Sequence, residues 1–380
     1  MNRLSLAGFA VFLAVSPAAA QTAPESKSPP PEPQSQTGPI SGYMDFHFNK
    51  EENQPGVLDF HRFVLLFNHS FSPRIRFVGE LELEHALVEG LEEAGEIELE
   101  QAYLDFLFSR SLNIRAGMML VPVGIINERH EPPVFNGVER PFVDTVIIPT
   151  TWFEPGAGIH GELGRGFRYR AFVTTPLNAI EFNAEEGIRE GRQKGSEANV
   201  RNFAATGRAE YVGLPGLTVG ASFWTGDSSF DVPRLDTKVR VGEVDARYQH
   251  DRLELRTEFA HVAIDDAGRL NEAIQGLTGV SPNVASALRG FYAEAAYRIW
   301  NQGSPRDLVA FLRYENFDTQ FRMPAGFQRL EQFDRDAFVT GVTYYPDPDI
   351  AVKADYVRLR SRSSIVKDRN LFNIGLGWWF

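Results

Sequence analysis

The chemistry-bearing feature of this 380-residue chain is charge in strict alternation with apolar side chains. Arg74, Arg76, Glu80, Glu82 and Glu84 share one parity, and Ile75, Phe77, Leu81, Leu83 and Leu87 share the other. Arg168 and Arg170 alternate with Phe167, Tyr169, Ala171 and Val173. Glu254, Arg256 and Glu258 alternate with Leu253, Leu255 and Phe259. Rows of mixed charge of this kind can line a wet passage and sort ions. Motifs for making or breaking bonds are weak. Gly156-Ala157-Gly158-Ile159-His160-Gly161 has dinucleotide-loop spacing, but no βαβ unit surrounds it, and a strand starting after a loop explains its glycines. His130-Glu131 is followed by Pro132-Pro133, which bars the helix of a zinc-protease motif. The eight histidines are scattered along the chain, and His160 beside Glu162 reads as a polar wall pair. With no cysteine there are no thiolate metal sites, disulfides or cysteine nucleophile. No metal, cofactor or catalytic residue is assigned.

A period of two means strands with one apolar and one charged face. Sixteen such segments can be counted: 40–48, 57–71, 74–88, 96–108, 111–120, 156–163, 167–175, 199–212, 215–226, 236–250, 251–264, 288–300, 305–318, 335–346, 349–361 and 369–380. Parity breaks mark 57–71, 96–108 and 236–250, and weak helical periodicity marks 269–288. Connections after even-numbered strands are short and those after odd-numbered strands are long. That alternation is the mark of an outer-membrane barrel with one tight rim and one loop-bearing rim. An arginine facing hydrocarbon at mid-membrane costs roughly 2–4 kcal/mol, so the charged parity must face the lumen. Sixteen strands leave room for water inside.

Composition agrees. Aromatics make 12% of the chain, yet charged residues reach 23% and mean hydropathy is negative. After residue 15 no apolar run approaches the ~20 residues of a membrane helix. A net charge of −12 argues against a nucleic-acid partner. At the start, Asn2-Arg3, the apolar run Leu4 to Val15 and Ala18-Ala19-Ala20 form a signal-peptide pattern, with cleavage expected after Ala20. Residues 21–39, with six prolines, read as a flexible periplasmic tether, and 40–380 as the barrel.

The long connection 121–155 is rich in Ile, Val, Phe and Pro, which is costly for a loop standing in water. The expectation is a segment folded against the barrel wall. Its charges Glu128, Arg129, Glu131, Glu139, Arg140 and Asp144 would then narrow the pore beside a strip of Arg74, Arg76, Arg115, Arg168 and Arg170. The alternative is a loop capping the mouth or packing at a subunit contact.

The strand count, the long loop after the fifth strand and the closing Gly375-Leu376-Gly377-Trp378-Trp379-Phe380 resemble a Gram-negative general porin. More narrowly, Ala116-Gly117-Met118-Met119-Leu120-Val121-Pro122-Val123-Gly124, with Glu139-Arg140-Pro141 and Gly156-Ala157-Gly158-Ile159, is similar to the phosphate-selective porin O/P family over about residues 111–163. The resemblance implies an all-β, 16-stranded antiparallel transmembrane barrel with an inward-folded third extracellular loop. It further implies a homotrimer in the outer-membrane lipid, passing small hydrophilic solutes. Trp378 and Phe380 resemble the signal read by the barrel-assembly machinery. That family's route is rich in lysine and arginine, whereas here the lumen parity mixes Arg with Glu, so weak selectivity is expected, with anions such as phosphate as candidate solutes. Two other classes stand beside this reading: an outer-membrane hydrolase with Ser, His and Asp on separate strands, and a secreted β-sandwich or adhesin.

Overall fold

The computed structural model describes residues 40–85, 95–229, 235–301 and 307–380. The expected signal peptide and tether, residues 1–39, lie outside the described residues. Sixteen antiparallel strands close into one barrel, each bonded to its sequence neighbours and the first to the last. They are β1 (Ile40–Glu51), β2 (Gly56–Ser72), β3 (Ile75–Glu84), β4 (Glu96–Leu107), β5 (Asn113–Leu120), β6 (Phe153–Gly164), β7 (Phe167–Thr174) and β8 (Ala204–Leu214). Then follow β9 (Leu217–Asp227), β10 (Lys238–His250), β11 (Leu253–Ile264), β12 (Ala287–Asn301), β13 (Asp307–Arg322), β14 (Asp334–Asp347), β15 (Ile350–Ser361) and β16 (Arg369–Trp379). The seam is set by Tyr43 facing Trp379 and Phe46 facing Leu376, with Phe380 and Gly42 exchanging two backbone hydrogen bonds of 2.9 Å. Among the described residues one α-helix, α1 (Ala267–Thr278), sits in the connection between β11 and β12, where helical periodicity is weak but present.

Parity decides which side chains face out. Leu81, Ile114, Val173, Phe223, Phe259, Leu312, Phe338 and Phe372 are exposed large apolar residues on one parity. Glu80, Glu82, Asp105, Arg208, Glu243, Glu258, Arg313, Lys353 and Asp355 are buried on the other. An apolar belt outside and charge inside is the pattern hydrocarbon imposes on a closed sheet.

The parity breaks have structural causes. The β1–β2 register shifts between Asp45 and His47, and this bulge turns both His61 and Arg62 inward. The β3–β4 register shifts after Glu80, leaving Glu100 as the extra residue on β4. In β10 the ladder is regular, but Val239 and Val241 face inward and Arg240 outward. Polarity reverses there because the interior near the long-loop rim is packed.

That packing corrects the expectation of a lumen lined throughout by charge and water. Residues of the 121–152 and 175–203 connections form one buried apolar cluster with inward-parity side chains of β9 to β15, among them Trp224, Val262, Tyr292, Phe317 and Val357. Strand ends also differ from expectation. β6 begins at Phe153, which pairs with Leu120, so the long connection is 121–152. β3 ends at Glu84, and residues 86–88 lie outside the described residues. β8 begins at Ala204, because Asn199 is engaged by Gln193 in the preceding connection.

Candidate functional site

Segment 121–152 is tied at its base by Asn127, whose amide donates to the Val121 and Trp152 carbonyls (2.7 and 2.8 Å) and accepts from the Trp152 N–H (2.7 Å). Gly124, at φ +84°, follows; a Cβ there would lie 2.9 Å from Glu258 Oε1 and be strained by the backbone angle. Further on, the segment's backbone bonds to inward-parity side chains around the wall. The N–H groups of Ile125, Val143 and Val138 donate to Glu258, Glu315 and Asp355. Asn136 donates to Glu294 and accepts from Arg313 at its carbonyl. Lys353 Nζ donates to the carbonyls of Pro132, Phe135 and Gly137 at 2.5, 2.8 and 2.8 Å, and sits 4.0 Å from the centre of the Phe135 ring. β16 contributes absence of bulk: a Cβ on Gly377 would meet Pro132 at 2.6 Å.

The second connection, 175–203, lies on the first. Arg189 Nη1 donates to the Thr145 and Thr150 carbonyls. Arg192 donates to those of Pro149, Thr151 and Arg189. Lys194 pairs with Glu98 of β4.

Between these connections and the β1–β4 wall is a cavity of about 300 Å³. Asp45, His47, His61, Arg62, Glu84, Glu98 and Glu100 line it from the wall, and His130, Glu139, Arg140, Arg189, Arg192 and Lys194 from the connections. Its acids are largely engaged. Asp45 is held by His47 and Arg62, Glu98 by Lys194, Glu100 by His130, and Glu139 by His47 and Asn49. Three of its cations are not engaged in that way. Arg140 donates to Thr151 Oγ1 and the His130 carbonyl, while Arg189 and Arg192 donate to carbonyls alone. None of the three has a carboxylate within ion-pair distance among the described residues. The lining as a whole is balanced, with five acids against five Arg and Lys side chains, and these three guanidinium groups are the cations in it that make no direct ion pair.

The eleven residues expected at a constriction are placed as follows. Glu139 and Arg140 line the cavity. Arg74 is in the tight β2–β3 turn and Arg76 is exposed close to it, at the opposite rim from the long connections. Arg115 is bidentate to Asp105 (2.9 and 2.9 Å) and lies over the Tyr103 ring. Arg168 pairs with Glu162, and Arg170 with Glu128 and Glu210. Arg129 is half-buried, and Glu131 Oε2 is buried with no hydrogen bond. Asp144 is fully buried against Glu258 and Gly124, not at the cavity. Burial, with Glu315 and Glu243 close by, holds its carboxyl well above the usual carboxylate range. The five arginines do not form one free strip, since three of them are matched by carboxylates across neighbouring strands. Trp378 is on the outward parity of β16, and Phe380 stacks on Phe63 at 5.7 Å.

Arg189 and Arg192 were not singled out in the sequence; the signal was a run of basic residues, 189, 192 and 194, in the long connection after the seventh strand. His130 proves to be an anchor. Its Nε2 lies 3.1 Å from Glu100 and 3.0 Å from the Tyr43 hydroxyl, which donates to Glu80.

No protein-family model matches the chain. An uncharacterized protein of Aquifex aeolicus is 36% identical over 353 residues, covering 90% of this chain and 79% of that one. Among solved structures, the outer membrane channel DcaP of Acinetobacter baumannii is similar at a TM-score of 0.57 and 13% identity, over 90% of this chain and 96% of its own. An anion-selective porin from Comamonas acidovorans gives 0.57 at 11% identity, over 90% and 98%. OmpT of Vibrio cholerae, in a trimer form, gives 0.55 at 12% identity, over 90% and 98%. At these identities the likeness is one of fold: the closed barrel of outer-membrane porins.

Proposed function

The chain belongs to the same family as the Aquifex aeolicus protein, and we propose that it is an outer-membrane porin for passive diffusion of small hydrophilic solutes, weakly preferring anions. Residues 1–20 would direct export to the periplasm and be cleaved after Ala20, and Phe380 with Trp378 would present the last strand to the barrel-assembly machinery. We place segment 121–152 inside the lumen as its constriction, in a homotrimer held in outer-membrane lipid. The short turns then face the periplasm and the long connections the exterior. Transport of this kind needs no cofactor and makes no bond, so no residue is given a catalytic role.

The anion preference rests on one observation: Arg140, Arg189 and Arg192 converge on the cavity without carboxylate partners. Fixed positive charge in a narrow passage raises the local concentration of anions. Phosphate and small carboxylates fit that chemistry, since a guanidinium can present two parallel donors to either. The likeness in fold to an anion-selective porin from Comamonas acidovorans agrees with this reading. The test is the zero-current potential across a KCl gradient in planar bilayers. Wild type should show a small potential of anionic sign, and Arg140→Gln, Arg189→Gln and Arg192→Gln together should move it toward cations. An unchanged potential, or a shift toward anions, would remove these arginines from the ion path.

A further inference from the structure

Histidines far apart in sequence meet on the cavity wall. Asp45 and His47 are inward positions of β1, and the β2 bulge brings His61 beside them. The His47 and His61 rings are 4.6 Å apart between centres. One donor atom from each of Asp45, His47 and His61 can be chosen so that all lie within 4.8 Å of one another. His47 Nε2 is 2.7 Å and His61 Nδ1 3.6 Å from the same oxygen, Asp45 Oδ2.

We propose that Asp45, His47 and His61 bind a divalent metal ion of the zinc class at the cavity wall. Two imidazoles and one carboxylate are a usual zinc set that leaves a position open to solvent. Three observations support a site over a chance cluster. His61 Nδ1 is buried and accepts or donates no hydrogen bond. The other nitrogen of His47 faces Glu139 Oε1 at 3.1 Å, the outer carboxylate that orients a ligating imidazole. And all three ligands line the 300 Å³ cavity, so an ion can reach them. A path of approach is also present. His85, its ring 5.8 Å from that of His61 and its Nδ1 2.9 Å from Asp59, stands toward the long-loop rim.

Arg62 is the group that opposes a cation here. Its Nε is 3.4 Å from Asp45 Oδ1, the oxygen turned away from the two histidines, and its Nη1 is 3.7 Å from Glu82. Its Nη2 also lies 3.4 Å from His61 Nε2, the ring nitrogen turned away from Asp45, so the guanidinium stands behind the ligand set and not between its donor atoms, and Glu82 shares its charge. The deeper trio Glu80, Glu100 and His130 also brings donor atoms together, but its imidazole nitrogens are committed to Glu100, Tyr43 and the Asn127 carbonyl.

Access through the lumen rests on the channel reading; the binding itself does not. An ion seated there would narrow the passage and add two positive charges beside the arginines. The test titrates ZnCl₂ into the tag-free full chain in detergent by calorimetry, then adds it to open channels in a bilayer. One equivalent should bind per chain and lower the conductance. His47→Ala and His61→Ala should each weaken binding by at least tenfold and abolish the block. Glu139→Gln should weaken it by about 10- to 100-fold, as outer carboxylates do. His250→Ala, at the exposed end of β10, should leave both unchanged. Heat-modifiable migration would confirm that each variant is folded, with His61→Gln replacing any that is not. Wild type failing to bind zinc, or folded His47 and His61 variants binding as wild type does, would overturn the proposal. A protein that binds zinc but conducts nothing would instead overturn the channel reading.

Discussion

Replacing Lys353 by Met isolates what holds segment 121–152 against the wall. The lysine is 3% exposed, and its ammonium donates to three carbonyls of the segment and lies over the Phe135 ring. Met keeps the stem and removes the charge and all three donors. A hydrogen bond to a charged group contributes about 1.5–3 kcal/mol, and carbonyls left buried without a partner cost about 1–3 kcal/mol each. These contributions are not additive, and a carbonyl can recover water as the segment loosens. Roughly 3–5 kcal/mol is the resulting loss of docking free energy. At 1.4 kcal/mol per tenfold, the docked-to-undocked ratio falls roughly 100- to 4,000-fold. The strand ladders on both sides of β15 do not involve the ammonium, so the barrel should stay closed. Single-channel recording should therefore show larger and noisier currents, and trypsin should cut after Arg129, the bond after Arg140 being protected by Pro141, in a protein that still migrates as folded. A quiet channel of wild-type conductance with an intact segment would refute the reasoning, because Lys353 would then not be what docks it.

Two further outcomes follow from the outer face. Leu312 is 56% exposed on the outward parity of β13, so Leu312→Arg should lower unfolding free energy in lipid vesicles by about 2–4 kcal/mol, measured by urea titration; no loss would contradict its facing hydrocarbon. Deleting Phe380 removes its stacking on Phe63 and its backbone bonds to Gly42, and should reduce the amount of heat-modifiable protein in the outer membrane. Wild-type levels of that truncation would count against its role in assembly.

The strands were legible because one face of each meets lipid and the other meets charge, and that contrast survives in a period of two. Bulges were legible only as disturbance: the breaks in 57–71 and 96–108 are the shifts at Asp45 and after Glu80, but nothing in the sequence says which residue each one turns inward. That is why His61 and His47 read as scattered. Register is set by the whole ladder, and proximity across strands is not encoded in spacing along one of them. The same limit applied to Arg168 and Arg170, whose carboxylates come from β6, β8 and the long connection. The apolar character of segment 121–155 did signal that it is packed. What it packs on was partly visible in hindsight, in the glycines on the inward parity of the last strand, where Gly377 makes room for Pro132.

Deleting residues 128–142 and measuring single-channel conductance in the same salt tests the central claim most directly. The account places these residues across the lumen, beside a cavity of about 300 Å³, so their removal should raise the conductance of each unit while the barrel still migrates as folded. A folded deletion variant with unchanged conductance would contradict it, and would move the segment from the ion path to the mouth or to a contact between subunits.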